Sequence, residues 1–263
     1  AMGDKKLAHT FAEDVTLLQK LSIKPVVVHG GGPQIGSMLD KLKIESSFID
    51  GLRITNEETV EIVEMVLSGS INKDIVNKIH AAGGLAIGLS GKDAKLILAN
   101  KLTDKFKDPN SNIEKFLDIG FVGKPIKINP SIINIISDNL MIPIIAPVGF
   151  GANNETYNIN ADTAAGAIAS SLKAERILLL TDVKGVLDSN KKLISNISVT
   201  KAESMISDKI ITGGMIPKIK TCLETVGSGV KAAVIIDGRS PHAILREIFT
   251  TGGSGTMIDN NFE

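Results

Sequence analysis

The feature that most restricts what this chain can fold into is an alternation. Apolar, β-branched runs recur at Val26–Val28, Leu85–Leu89, Ile142–Ala146, Ile177–Leu180 and Ala233–Ile236. Between them lie longer segments with apolar residues at helical spacing, about 7–22, 33–43, 56–68, 71–82, 131–140, 161–173, 214–228 and 240–249. Short, nearly continuous apolar runs are the signature of strands buried on both faces. Helix-length connections are what parallel pairing requires. The pattern therefore predicts an α/β fold with a largely parallel sheet covered by helices on both faces, a three-layer αβα arrangement.

One stretch departs from the alternation. Residues 91–129 are charged and mixed, with "DPNSN" as a turn-rich centre, and read as a hairpin excursion. At 263 residues the chain suits one large domain or two closely joined lobes, with a boundary near 149–175. Lys plus Arg balance Asp plus Glu at 29 each, which argues against a nucleic-acid groove driven by bulk charge. With no Trp and a single Tyr, a base-stacking platform is also unsupported. No apolar stretch reaches the length of a membrane span, and the N-terminus lacks the apolar core of a signal peptide. The single cysteine, Cys222, sits on the apolar face of a helical segment and reads as a buried structural thiol in a reducing cytoplasm.

Five clusters carry candidate chemistry. In "PVVVHGGGPQIG" three glycines, Gly30 to Gly32, separate a strand from a helix. Consecutive glycines are costly in backbone entropy, so something should approach the backbone closely. At a helix N-terminus that partner is often an anion reaching the amides of Gly31 and Gly32; the alternative is a tight strand-to-helix turn. Pro33 fits the first helical position. Gly91-Lys92 is followed by Asp93, so it is not a P-loop, whereas Gly30, Gly32 and Gly36 leave a loose dinucleotide-type reading open. In "DGLRITNEETVEIV", Arg53 precedes a helix start and reads either as a solvated charge or as a fork for a carboxylate.

In "YNINADTAAGAIASSL", Asn158, Asn160 and Asp162 alternate along an extended segment. They read as helix caps, or as an Asn that holds a carboxylate beside an Asp that positions lysines. In "ILLLTDVKGVLD" a buried strand ends at Thr181, Asp182, Val183 and Gly185, where ligands favour the carboxyl ends of parallel strands. In "ITGGMIPKIKTCLE", Gly213 and Gly214 precede a helix with Lys218 near its start. A cation there opposes the helix dipole, which points to a phosphate partner.

Together these motifs, with "GLSGKDA" and "DIGFVGKP", resemble the amino-acid kinase family in order and spacing, and within it the branch acting on N-acetyl-L-glutamate. The aspartate and uridylate kinase branches share the fold but not the GLRIT and GGMIPK combination. The resemblance implies an open αβα sandwich of amino-acid kinase type. Residues 1–160 would form a lobe for acyl-amino-acid binding and dimerisation, and 161–263 a lobe for ATP. It implies transfer of the γ-phosphoryl of ATP, carried with Mg²⁺, to the side-chain carboxylate of N-acetyl-L-glutamate, a step of arginine synthesis. Gly31 and Gly32 would contact substrate and phosphoryl, and Arg53 and Asn158 the substrate carboxylate. Asp162 would organise lysines and Lys218 would neutralise the phosphoryl. Thr181, Asp182, Val183, Gly185, Gly213 and Lys218 would line the nucleotide site, with no metal ligand from protein side chains. His242, Glu247 and Gly253, in the Gly252–Gly255 segment, would be the residues of an inhibitory arginine site. A cytoplasmic homodimer is implied, and a hexamer where an additional N-terminal helix exists, with neither nucleic acid nor membrane as partner.

The departure is at the front. Family members begin with a strand ending in Lys-x-Gly-Gly, and this sequence starts at Ala1-Met2 with no such motif. The expectation is a shortened form of an active enzyme; a non-catalytic homologue acting as an ATP- or arginine-binding sensor or scaffold is the alternative. A Rossmann-type oxidoreductase is a remote third reading.

Overall fold

In the computed structural model, residues 5–103, 105–107, 114–116 and 118–259 are described. Helix α1 (Lys5–Lys20) buries Ala8, Ala12, Val15 and Leu18 along one stripe. Strand β1 (Val27–Val28) runs through the glycines into α2 (Gly32–Leu42). A short hairpin, β2 (Phe48–Ile49) and β3 (Leu52–Arg53), turns at Asp50 and Gly51, both at positive φ. Helix α3 (Glu57–Glu64) is capped by Asn56, whose side chain accepts from the Thr59 N–H at 2.8 Å. It passes into a π-helix, Met65–Ile71, and then into α4 (Asn72–Ala81). Next come β4 (Ala86–Ser90), β5 (Ile97–Lys101), β6 (Lys105–Lys107), β7 (Glu114–Phe116) and β8 (Val122–Ile128). They are followed by α5 (Ser131–Asp138), β9 (Ile142–Ala146), β10 (Val148–Phe150), β11 (Thr156–Ile159) and α6 (Ala161–Leu172). The chain continues through β12 (Arg176–Thr181), β13 (Asn196–Ser198), α7 (Val199–Ser207) and α8 (Met215–Gly227). It closes with β14 (Ala232–Asp237), α9 (Ala243–Phe249) and β15 (Gly255–Asp259).

The contacts divide the chain into two units. One comprises residues 24–77 and 85–164; the other comprises 1–23, 78–84 and 165–263. The first is built on a parallel sheet in the order β1-β9-β4, with Val27 opposite Ile144 and Gly88 also opposite Ile144. Strand β9 is buried throughout, as its apolar run requires. The same unit holds a closed ring of four strands, β10-β11-β8-β5, mixing parallel and antiparallel pairs. The second unit has the sheet β12-β14-β15-β13, in which β12 and β14 pair in parallel from Arg176–Ala232 to Thr181–Asp237. Helix α8 covers β14 and β15 and buries Ile219, Cys222 and Val226 against Leu179, Ala233 and Ile235. Cys222 is the buried structural thiol its apolar setting predicts.

The central strands and the helices between them follow the alternation, and the α/β expectation holds. The hairpin expectation holds too, and two local differences have physical causes. The excursion at 91–129 does pair antiparallel, β5 with β8 and β6 with β7, and β5 and β8 also close the four-stranded ring. The "DPNSN" centre lies outside the described residues. Helix α9 begins at Ala243 rather than 240 because His242 takes a left-handed conformation, φ 53°. The ring strands are short and of mixed polarity, so they give no apolar run to read.

Candidate active site

The triglycine turn is held by its own carbonyls. The Gly30 carbonyl faces His29 Nδ1 at 3.0 Å, the Gly31 carbonyl accepts from the Ile35 N–H at 2.9 Å, and the Gly32 carbonyl accepts from Arg53 Nη2 at 3.0 Å. In a trans peptide the N–H points opposite to the C=O. The anchored Gly30 and Gly31 carbonyls therefore aim the Gly31 and Gly32 amides the other way, at the uncapped N-terminus of α2. The Gly32 carbonyl, by contrast, precedes Pro33, which has no N–H. None of the three glycines has a left-handed φ; Gly31 is extended at 174°. Glycine suits position 31 for another reason: a Cβ there would run into the side-chain ends of Leu67 and Ile71 of the π-helix, which would have to shift. At Gly32, by contrast, no described atom stands within 4 Å of the place a Cβ would take. Helix α2 starts one residue earlier than predicted, so Pro33 occupies its second position.

Arg53 is not a solvated surface charge. It is 7% exposed, donates to Ser46 Oγ and the Gly32 carbonyl, and lies 4.5 Å from the Phe48 ring centroid. Burial pushes its pKa below the usual guanidinium value, a shift that nearby Asp40 opposes. Its carbonyl accepts from Thr55 Oγ1 at 2.8 Å, and Thr55 Oγ1 accepts from Asn158 Nδ2 at 3.2 Å. Arg53 and Asn158, 105 residues apart in sequence, are thus joined through one hydroxyl. The "DIGF" motif explains itself here. Gly120 pairs with Thr55 at positive φ, and any Cβ would overlap the Thr55 carbonyl. At the start of α6, Ala161 faces Gly30: a Cβ on Gly30 would sit 3.7 Å from that of Ala161. Asn160 caps this helix, accepting from the Thr163 N–H at 3.1 Å, and half-buried Asp162 follows in its first turn. The "GLSGKDA" stretch is a turn closed by Asp93, which accepts from the Ser90 N–H and hydroxyl.

In the other unit, Thr181 ends β12 beside Asp237, which ends β14, and the Gly238 N–H donates to the Thr181 carbonyl at 2.8 Å. Asp182, Val183 and Lys184 are exposed. Gly185, at φ 138°, lies against Thr256 Oγ1, which also takes the Val186 N–H at 2.8 Å. Arg239 grips Asp237 with Nε and Nη2, both at 2.9 Å, and this bond holds the Asp237 carboxyl below its usual pKa range. Gly213 is left-handed, and half-buried Lys218 follows in α8, whose first turn has neither a side-chain cap nor an acidic residue. Asp237 and Arg239 were not singled out by the sequence reading, although the carboxyl end of a buried parallel strand is where such groups should be sought. Ser46 and Asn72 were missed as well; one lies in a plain loop and the other inside an otherwise apolar helical pattern.

The residues offered for an effector site also lie in this unit. Glu247 is 6% exposed and accepts from the Ser254 N–H at 2.6 Å; Gly253, at φ 61°, packs on its carboxylate, and Arg176 Nη1 lies 3.7 Å away. His242 Nδ1 instead lies 2.6 Å from Asp14 Oδ1 of α1. That carboxylate is 2% exposed, and burial raises its pKa against the opposing pull of His242. Among the described residues no group of three or more His, Cys, Asp or Glu could hold a metal ion, and no helix is long and apolar enough to cross a membrane.

An α/β chain with a glycine turn at an uncapped helix start and charged groups at strand ends is built as the phosphate-handling enzymes of α/β class are. The family model described as "Amino acid kinase family" matches residues 1–237. The chain belongs to the amino-acid kinase family and has its three-layer αβα fold. It is 60% identical over 258 residues to an acetylglutamate kinase of Rhodospirillum centenum, an alignment covering 98% of this chain and 85% of that protein. The acetylglutamate kinase of Gluconobacter oxydans is 58% identical, covering 98% and 88%. Among solved structures, smu.665 from Streptococcus mutans UA159 superposes with a TM-score of 0.78 at 29% identity, covering 95% of this chain and 91% of that one. A Giardia carbamate kinase, at 15% identity and a TM-score of 0.69 over 97% and 90%, shares the fold.

Proposed function

We propose that this chain transfers the γ-phosphoryl group of ATP to the side-chain carboxylate of N-acetyl-L-glutamate, forming an acyl phosphate on the route to arginine. The observation that carries the reading is the joining of the Arg53 main-chain carbonyl to Asn158 through Thr55, beside a glycine turn whose Gly31 and Gly32 amides are aimed by the anchored Gly30 and Gly31 carbonyls. The high identity to acetylglutamate kinases supports the substrate. Arg53 and Asn158 bind the α-carboxylate of N-acetylglutamate; Gly31 and Gly32 donate to the transferring phosphoryl. Asp162 orients cationic groups, and Lys218 offsets phosphoryl charge. Phosphoryl transfer proceeds mainly through positioning and electrostatic stabilisation, which amides and fixed cations supply. Thr181, Asp182, Val183, Gly185 and Gly213 hold the nucleotide, and Mg²⁺ arrives with it.

A homodimer in a reducing cytoplasm goes with this reading. Arginine as inhibitor would bind at Glu247 and Gly253, with His242 nearby in sequence at the start of the same helix. The test is an ATP-dependent hydroxamate trap for acyl phosphate with N-acetyl-L-glutamate. It compares this chain with a form extended upstream by a Lys-x-Gly-Gly strand. Product from either supports the reading, and product only from the extended form assigns a role to that lysine. Silence from both, with ATP still bound, leaves a binding protein.

A further inference from the structure

The histidine that opens the triglycine turn is buried and held from behind. His29 is 5% exposed, and Asn72 is fully buried, the first residue of α4 after the π-helix. Asn72 Nδ2 lies 3.0 Å from the Ile144 carbonyl on β9 and 3.2 Å from both the Leu89 carbonyl on β4 and His29 Nε2. Two backbone carbonyls accept only, so this end of the amide must be the NH₂ group. His29 Nε2 then faces a donor and must itself be the acceptor. The remaining proton belongs on Nδ1, where it donates to the Gly30 carbonyl at 3.0 Å. The two Asn72 N–H groups are shared among three acceptors, and only the neutral Nδ1–H tautomer avoids setting N–H against N–H at Nε2. Burial lowers the pKa of His29 in the same sense.

The amide oxygen of Asn72 is equally confined, since Gly88 leaves it room that any Cβ would fill, and Lys73 Nζ donates to it at 3.3 Å. On the other side of the turn, Leu67 and Ile71 of the π-helix occupy the space a Gly31 side chain would take. A π-helical turn shifts residue register by one, and such turns recur at functional sites. Here one seven-residue π segment supplies the two apolar contacts beneath Gly31 and delivers Asn72 to the Leu89 and Ile144 carbonyls of β4 and β9.

We infer that His29 and Asn72 form a positioning pair that fixes the Gly30–Gly31 peptide, and with it the Gly31 amide, for the transferring phosphoryl group. The inference rests on the kinase reading above only in naming what the amide receives. His29 neither takes nor gives a proton in the reaction; it orients a donor. A displaced donor costs transition-state stabilisation while leaving ground-state binding largely intact.

The test uses the full chain, in the form that passes the hydroxamate assay or, failing that, unextended. Long-range ¹⁵N–¹H NMR at pH 7 should show His29 as the Nδ1–H tautomer with bare Nε2. In Asn72→Ala that preference should be lost and the Gly31 amide should shift and exchange faster. His29→Asn retains a donor near the Nδ1 position, whereas His29→Gln places its amide at the distance of Nε2. Glutamine should lower kcat on the order of 10²-fold, with KM for N-acetyl-L-glutamate and ATP within about threefold. Asparagine should recover at least tenfold of that loss. An Nε2–H tautomer in the parent protein, a Gly31 amide indifferent to Asn72→Ala, or a folded His29→Gln with parental kcat would each overturn the pairing. Should Asn72→Ala not fold, the two His29 variants carry the same test through the Gly31 amide. If no form catalyses transfer but the NMR results are as expected, the kinase reading fails and the pairing stands.

Discussion

The glycine turn in one unit and the β12 and β14 ends in the other both present groups suited to phosphate, but they hold them by opposite means. Around the turn the polar groups are buried or half-buried and held by side-chain bonds: Arg53 to Ser46 and Gly32, His29 to Gly30 and Asn72, Asn158 to Thr55. At the strand ends Asp182, Lys184 and Arg239 stand in solvent, where Arg239 is held by the Asp237 fork and Asp182 accepts from the Thr181 hydroxyl at 3.3 Å. A buried network fixes donors to a fraction of an ångström but leaves costly orphans when broken. Exposed charges are screened and adaptable, which suits a ligand that brings its own charge and counter-ion.

This contrast can be broken by substitution. Gly31→Ala should have the largest effect, since its Cβ collides with Leu67 and Ile71. We expect a loss of about 10²–10³ in kcat from a misplaced donor and about 1–3 kcal/mol of stability from overpacking, read by the hydroxamate assay and urea unfolding. Parental activity in Gly31→Ala would mean that the turn does not need its observed path. Arg53→Lys comes next, because an ammonium cannot reproduce the fork that serves Ser46 and Gly32 together. KM for N-acetyl-L-glutamate should rise on the order of ten- to a hundredfold, the range for hydrogen bonds to charged groups, with KM for ATP unchanged. A rise in the ATP constant instead would move Arg53 to the nucleotide.

The smallest effect belongs to Arg239→Ala. Stability at pH 7 should fall slightly, because the pair contributes there but its Arg239 side stands in solvent. Acid unfolding should differ in a defined sense. Asp237 has a depressed folded pKa, so its contribution is present above the unfolded carboxyl value, near 3.8, and is lost as pH falls through the folded value. Without Arg239 that acid-limb loss should shrink. An unchanged acid limb would show that the fork does not set the Asp237 carboxyl.

The reach of the sequence follows the same divide. The triglycine turn, Arg53 and Asn158 were legible as candidates because each stands beside a strand or helix boundary, and local patterns mark boundaries. Asn72 was not: it follows Ile71 and precedes Ile75 and Ile79, all buried, so it reads as a break in an apolar stripe. Its purpose depends on the Leu89 and Ile144 carbonyls, 17 and 72 residues away. Arg239 escaped notice for a related reason, since Asp237 and Thr181 meet only once β12 and β14 pair.

The sequence by itself determined the buried strands, most helices, the parallel class and the residues worth suspecting, because hydrophobic periodicity and cap chemistry act over a few residues. Tertiary structure alone decided which glycines have no room for a side chain, Gly120 against the Thr55 carbonyl above all, and which way the Gly31 amide points. It also decided that a buried histidine must be neutral. Those are properties of distant groups brought within about 3 Å, where hydrogen-bond geometry and excluded volume, rather than local propensity, set the outcome.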